Sequence, residues 1–588
     1  MRRVRRSQFV VPFGVGSILE FEDEALMPAA LDTWNVAAAN RIYDDRLASR
    51  LGVQFFVTPA AAPEQGAAGD GRDYVLCVRF PRWHFCPRCR ALQEVDLHAN
   101  RAPRCDNLDP SPRLNGRDPC GRLAVTRRLP MLPVRFLAAC PRGHIEDFPW
   151  HAWAHSSPGA DLADTEKCLP ASLSFFATRK AGLGGLVVQC RTCEAKRSLF
   201  GSTDLRGWRC RGQRPWLGAD KAEECPDAAE GGARNMVTLQ RGASNVYFPE
   251  VTSSILIPPF SGRVMALLSD PEVAEALRQA EEEGEIRDMD FRYVAAGRGV
   301  SWEELKSAYE SRGQATAAGR VDEVSFRFQE LSALETDRRV AGDALTCRTQ
   351  KVESYGPWVR DNFAGVTLVE RLTETRALVG FSRIEPGRDS RAALSREFVN
   401  WRPGFRVQGE GIFLSFHPDR LAEFERTETR AQRLVDRAGS GFRTMLPIST
   451  RLILIHSFAH LLIKRLSYDA GYGASSIRER IYAAPAEGQR RAMAGVLLYT
   501  AAGDAEGTLG GLVELGRQGA LEAAVAGALE DARWCASDPV CMESNGQGPD
   551  SLNLAACHAC VLLPETSCEL QNRYLDRGVV NRFFTNEA

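Results

Sequence analysis

Three stretches of the chain space their cysteines as thiolate–metal chemistry requires. Cys86-Pro-Arg-Cys89 is followed by Cys105 and Cys120, a C-x2-C-x15-C-x14-C pattern. Cys190-Arg-Thr-Cys193 is followed by Cys210 and Cys225, C-x2-C-x16-C-x14-C. Cys535, Cys541, Cys557 and Cys560 form C-x5-C-x15-C-x2-C, with the close pair last. Two thiolates two residues apart can face one ion from a tight turn, and two more close a tetrahedral shell. Zinc suits four soft thiolates, needs no redox partner and stabilises a small loop-rich unit that has little core. The expectation is about three structural zinc ions. Cys568 is a possible substitute ligand in the last set, and His558, inside its close pair, could support a ligand from behind.

Other polar residues could do different chemistry. Cys140, His144, Asp147, His151 and His155 fall close together among Phe148, Trp150 and Trp153. That cluster could hold a metal, or serve a nuclease or metal-dependent hydrolase. The plainer reading is a packed aromatic turn whose polar groups cap backbone; stacking of its rings on exposed bases is a further option. His456 and His460 stand one helical turn apart, as in zinc proteases, but Ser457 occupies the place of the general-base Glu and no third ligand is evident. Buried, hydrogen-bonded histidines are expected there. No G-x4-G-K-[ST] phosphate loop occurs, so any nucleotide hydrolysis must come from another chain.

The elements that must carry these residues are mixed. The first two cysteine sets match within one residue over about 35 residues. Each is followed by paired β-type runs: Val125-Thr126 and Val134-Arg-Phe136 after the first, Val237-Thr238 and Val246-Tyr-Phe248 after the second. A zinc ribbon feeding a strand, present twice, is the expected unit. Residues 265–345 read as amphipathic helices. Val366–Val369 and Ala377–Ile384 read as strands or buried segments, Gly409–Phe416 as a turn and then a strand, Gly495–Thr500 as a core strand, Thr450–Leu466 as a buried helix, and Glu506–Leu512 as a turn entering a helix.

Composition sets the outer limits. The 588 residues exceed one domain, and 44% hydrophobic with 25% charged residues is ordinary for a globular chain. Lys+Arg (74) and Asp+Glu (75) cancel to a net charge of −1, so any nucleic-acid surface must be a local patch. Arg127-Arg128, Arg433 and Arg437 read as surface charges. The basic start Met1–Arg6 and the apolar run from Phe9 to Leu19 suggest a secretory or twin-arginine signal. Pro12, Gly14 and Gly16 and the acidic Glu20–Glu24 argue against one, and favour an ordered loop or short strand. No window of about 18 uncharged apolar residues occurs, so no membrane span is expected. A cytoplasmic chain is expected, where clustered cysteines mean metal more often than disulfide.

Several segments resemble the DrmB family of the prokaryotic DISARM anti-phage systems. They are Arg6–Leu19, Cys140–Trp150, Val251–Pro259, Arg371–Arg383 and His456–Leu462. The part from about 445 to 575 is similar to a zinc-binding module of MrfA-type DNA-repair helicases, whose four cysteines are matched by Cys535, Cys541, Cys557 and Cys560. Asn572 to Arg577 resembles the segment that follows. No helicase motifs are attached. The resemblance implies a non-catalytic DNA-binding subunit in a heterodimer with a separate DrmA-type helicase, acting on invading DNA, with single-stranded character. A DNA methyltransferase and a phospholipase-D-like protein of the same system are further implied partners; a membrane is not. The alternatives are the hydrolase above or a pure protein scaffold.

The expected fold is α+β and multidomain: two zinc-ribbon-like insertions in β-rich surroundings, a helical middle region and a C-terminal α/β zinc-binding module. The expected spans are an N-terminal α/β segment (1–80), the duplicated ribbon region (81–260), a helical/mixed middle domain (261–440) and the helicase-associated zinc-binding module (441–588).

Overall fold

The computed structural model describes residues 4–585 apart from 37–39, 60–73, 100–101, 112–113, 160–161, 163–167, 169–171, 219, 226–235, 258–263, 265–266, 269, 283, 285, 318–321, 341–342, 388–389, 439–443, 445, 474, 489 and 501–509. Helix and strand are mixed along the chain, an α+β arrangement. The chain groups into two units, each discontinuous in sequence. The first holds 1–40, 57–252 and 377–404; the second holds 41–56, 253–376 and 405–588. The linear spans above do not coincide with these units.

The first unit is built from small antiparallel sheets. Trp83–Phe85 pairs with Leu92–Glu94 and Leu132–Pro133. Phe136–Ala139 pairs with Ile145–Asp147 and Val237–Gln240. Leu173–Ala177, Leu186–Cys190 and Lys196–Ser198 form a third sheet. Sheets of two- to five-residue strands bury little apolar area, so something else must hold them. Of the first β-type run expected after each cysteine set, only Val237–Gln240 forms a strand. Val125–Arg127 is instead a 3-10 turn, because Arg128 donates to the carbonyls of Leu123 (2.9 Å) and Gly121 (2.6 Å) and tightens the chain there. Ser244–Val246 is likewise a 3-10 turn, and the strand begins at Phe248. At the start, Arg6–Phe9 is a 3-10 turn and Leu19–Glu20 pairs with Ala25–Pro28, so Phe21–Glu24 forms the connection.

Arg383 draws three distant loops of this unit together. Its side chain is fully buried. It donates to the carbonyls of Gly143 (2.9 Å), Val246 (2.5 Å) and Gly16 (2.7 Å) and lies 4.8 Å from the Phe381 ring centroid. Among the described residues no carboxylate is bonded to it, and burial draws its guanidinium down to about 9. Gly16 has φ +79, and a Cβ there would lie 2.5 Å from the Phe381 ring. Three of the segments that carry the family resemblance therefore meet at one guanidinium.

The second unit has one large core. The helix Thr450–Ala470 starts where Ser449 accepts from the Leu452 amide (3.2 Å) and ends at Gly471 with φ +69. Fifteen of its residues are buried, so it is apolar nearly all round and sits inside. It packs with Phe363, Ile412, Phe416, Val496 and Phe584. The antiparallel sheet beside it orders Trp401–Phe416, Met493–Thr500 and Ile477–Ala484, with Gly411 opposite Tyr499 and Ile477 opposite Thr500. The helices Pro271–Glu282, Asp288–Ala295, Trp302–Ala317 and Glu323–Leu334 form the helical middle. The last of them joins the sheet through a buried pair: Glu330 accepts from Arg480 at 2.6 and 2.8 Å. Residues 506–509 of the turn expected before Leu512, and Pro258-Pro259, lie outside the described residues. Among the described residues, no helix is long and apolar enough to cross a membrane.

Candidate metal centres

The first cysteine set comes together as its spacing suggests. The ligand atoms of Cys86, Cys89, Cys105 and Cys120 lie within 4.8 Å of one another, and all four residues are buried. Cys86 and Cys89 sit in a turn between Trp83–Phe85 and Leu92–Glu94. Arg90 takes φ +65, and the Cys86 amide donates to the Ala91 carbonyl at 2.9 Å. Sulfurs approach at 3.6 Å (Cys89–Cys105) and 3.9 Å (Cys86–Cys120). The Cys89 amide donates to Cys86 Sγ, and Arg88 and Asn107 donate to Cys120 and Cys89. Hydrogen bonds from Cys105 and Cys89 hold the Cys86 thiol low, while the Cys86 contact pushes Cys105 up. Four buried thiols this close cannot all ionise without a cation, and a divalent ion resolves that conflict.

The second set is divided between two places. Cys210 and Cys225 join Cys140 and His144, all four buried. Cys140 and His144 flank the hairpin between Phe136–Ala139 and Ile145–Asp147. The Cys140 amide donates to the His144 carbonyl (3.1 Å), and Gly143 makes the turn at φ +86. His144 Nδ1 lies 3.3 Å from both Cys140 Sγ and Cys210 Sγ. Its Nε2 meets Glu223 Oε1 at 2.7 Å, which orients the ring and leaves Nδ1 for the sulfurs.

Cys190 and Cys193 join Cys168 and His155 instead. Their turn repeats that of the first set: Glu194 has φ +64, and the Cys190 amide donates to Ala195 at 2.8 Å. Here Nδ1 of His155 donates to the His151 carbonyl (2.8 Å), and its buried Nε2 has no hydrogen-bond partner among the described residues. The ring is set to offer Nε2, the opposite choice from His144. Arg191, inside this turn, donates to the Cys89 carbonyl at 2.8 Å, so the second turn rests on the first set.

The grouping of Cys190, Cys193, Cys210 and Cys225 into one tetrad is thereby corrected. The spacing places the turn correctly but cannot identify its partners, because Cys140-x3-His144 and His155 enter from the intervening hairpin and helix. The hydrolase cluster is dispersed for the same reason. Cys140 and His144 go to one set and His155 to the other; His151 Nε2 donates to the Cys168 carbonyl, and Asp147 accepts from the Arg82 amide (3.0 Å). Phe148, Trp150 and Trp153 are buried against one another, with Phe148–Trp150 centroids 4.7 Å apart, so they are core and not a base-stacking surface.

In the second unit, Cys535, Cys541, Cys557 and Cys560 come together, with sulfur separations of 3.5 to 3.7 Å. Arg577, fully buried, pins this loop: it donates to Asp538 (2.6 Å) and to the Ala532 carbonyl (2.8 Å), and Asp538 in turn accepts from the Cys535 amide. Cys568 is not in this set; its sulfur lies 3.2 Å from His456 Nε2. His558 is exposed.

The four sets above each offer three or four sulfurs, with at most one imidazole, which is a zinc donor set. Residues 458–561 match the MrfA Zn-binding domain, which includes the four cysteines from Cys535 to Cys560. Residues 5–248, which include the other three sets, match a domain of unknown function (DUF8724). The chain is 29% identical over 533 residues to the DISARM protein DrmB of Bacillus paralicheniformis, covering 86% of this chain and 88% of that protein. Zinc is the ion to which these donor sets and the C-terminal match both point.

Proposed function

We propose, for a chain that is similar to the DISARM protein DrmB along most of its length, that it is a zinc-braced, non-catalytic subunit of a DISARM anti-phage complex. It associates as a heterodimer with a separate DrmA-type helicase and helps it engage invading phage DNA, with single-stranded character. It does so in the cytoplasm, where a reducing pool keeps thiols available to metal. A methyltransferase and a phospholipase-D-like protein complete the system around it. Zinc is held by Cys86, Cys89, Cys105 and Cys120, by Cys140, His144, Cys210 and Cys225, by His155, Cys168, Cys190 and Cys193, and by Cys535, Cys541, Cys557 and Cys560.

The observation that carries this reading is the closure of the donor sets. Each supplies four protein ligands, and a four-ligand zinc has no open position at which to activate water. Such ions position surfaces; they do not hydrolyse. The near-neutral charge fits a subunit that shares the phosphate grip with its partner. The test is co-expression with a DrmA-type helicase chain. The two should co-purify, the chain alone should not hydrolyse ATP, and DNA binding by the pair should weaken steeply with salt. ATP hydrolysis by the purified chain alone would overturn the proposal.

A further inference from the structure

Among the described residues, one cluster of metal-binding side chains remains outside the four sets. His456 and His460 project from one face of the helix Thr450–Ala470, with ring centroids 4.5 Å apart. The strand Ile477–Ala484 places Glu479 against both, while its neighbour Arg480 points to the opposite face and binds Glu330. Cys568 arrives from the segment that precedes the last helix. His456, His460 and Glu479 are fully buried and Cys568 is buried, and the four ligand atoms lie within 4.8 Å of one another.

The geometry points to a further metal centre, built from His456, His460, Glu479 and Cys568, that takes one divalent zinc-type ion. His456 Nε2 lies 3.2 Å from Cys568 Sγ and 3.1 Å from Glu479 Oε1; His460 Nε2 lies 3.6 Å from the same oxygen. These separations match the edges of a small coordination tetrahedron. The surroundings orient three of the four donors. His460 Nδ1 donates to the Val561 carbonyl at 3.0 Å, which leaves a lone pair on Nε2. Cys568 Sγ accepts from the amides of Leu570 (3.3 Å) and Asn572 (3.2 Å), as a thiolate would. Glu479 Oε1 accepts from the Glu569 amide at 3.1 Å. Three buried atoms of the cluster have no hydrogen-bond partner among the described residues: His456 Nδ1, His460 Nε2 and Glu479 Oε2.

Without an ion, His460 Nε2 sets its lone pair against Glu479 Oε1 in the buried core. The other remedy is two imidazolium rings side by side, which places like charges in a low dielectric. One dication balances one carboxylate and one thiolate, and the two imidazoles complete a neutral shell. The centre has four protein ligands and no exposure, so its role is to tie helix, strand and C-terminal segment. Ser457, in the position of a protease's general base, accepts instead from the Asp576 amide at 2.8 Å. His456 and Cys568 both lie outside the matched residues 458–561, so this centre is distinct from the four-cysteine site.

Metal analysis of the purified full-length chain tests this. Glu479→Gln and Cys568→Ser should each lose about one zinc ion per chain relative to the unaltered protein, and Cys557→Ser should lose a different one, additively. Unchanged metal content in the Glu479 and Cys568 variants overturns the centre. Should those variants fail to fold, anomalous scattering at the zinc edge from crystals of the unaltered chain decides. A peak among the four side chains supports the centre; its absence there leaves a hydrogen-bonded cluster and no metal.

Discussion

The two units solve the same stability problem by different means. The first has short strands, long loops and three sulfur-rich donor sets. The second wraps a 21-residue buried helix in a large sheet and an aromatic layer. A unit with little core gains its cohesion from metal ligation, because binding energy counts as folding energy when the site is absent in the unfolded chain. A unit with a deep core does not depend on metal in that way. The contrast predicts that metal removal should be the largest perturbation of all. A strong chelator should raise hydrogen exchange across residues 81–252 by roughly 100-fold or more, and across residues 405–416, which carry no proposed ligand, by far less. Equal effects in both regions would erase the distinction.

Within the first unit, the pairing of ligands can be tested directly. Cys140→Ser combined with Cys190→Ser should release two zinc ions, because the structure places these residues in different sets. A single set of Cys190, Cys193, Cys210 and Cys225 would release only one. Cys140→Ser alone should destabilise the unit by more than about 4 kcal/mol in a denaturant titration. Arg383→Leu should come next, at about 3 to 5 kcal/mol, since it strands three buried carbonyls.

The second unit should answer to pH through an ion pair instead. Burial works to raise the Glu374 carboxyl, but Arg376 at 2.8 Å and then Arg478 override it and draw it down to about 2. A carboxyl lowered on folding stabilises above its unfolded value and loses that contribution as pH falls. Glu374→Gln should therefore cost roughly 3 kcal/mol at pH 7, and the gap to the unaltered chain should close between about pH 4.5 and 2. Urea midpoints at pH 7 and pH 3.5 measure it. The smallest effect should come from Glu223→Gln. It weakens the support behind His144, lowering zinc affinity about 10- to 100-fold in a competition assay and the stability of the unit by the equivalent, about 1.4 to 2.8 kcal/mol.

What could be read in advance follows from locality. Both C-x2-C turns, the first and last donor sets, and the core helix are set by neighbours within about 35 residues, and each is visible in spacing or periodicity. The exchange of partners between Cys190-x2-Cys193 and Cys210/Cys225 is not local. It depends on a hairpin tip at Gly143 and on which ring nitrogen His155 turns inward, neither of which spacing encodes. Cys140-x3-His144 between two apolar runs was the available signal. The H-x3-H pair on the core helix could be seen, but Glu479 and Cys568, from a strand and a distant loop, could not be assigned to it.

Arg383 carries a consequence for the order in which this protein is made. Its partner carbonyl at Gly16 lies 367 residues upstream. The first unit also takes residues 377–404 as its last segment. A ribosome therefore delivers most of that unit, then residues 253–376 of the other, before the arginine that bridges the first unit's loops exists. The early segment must wait in the cell until the chain returns to it. Metal capture by Cys86–Cys120, which needs only adjacent sequence, gives that waiting segment its first fixed point.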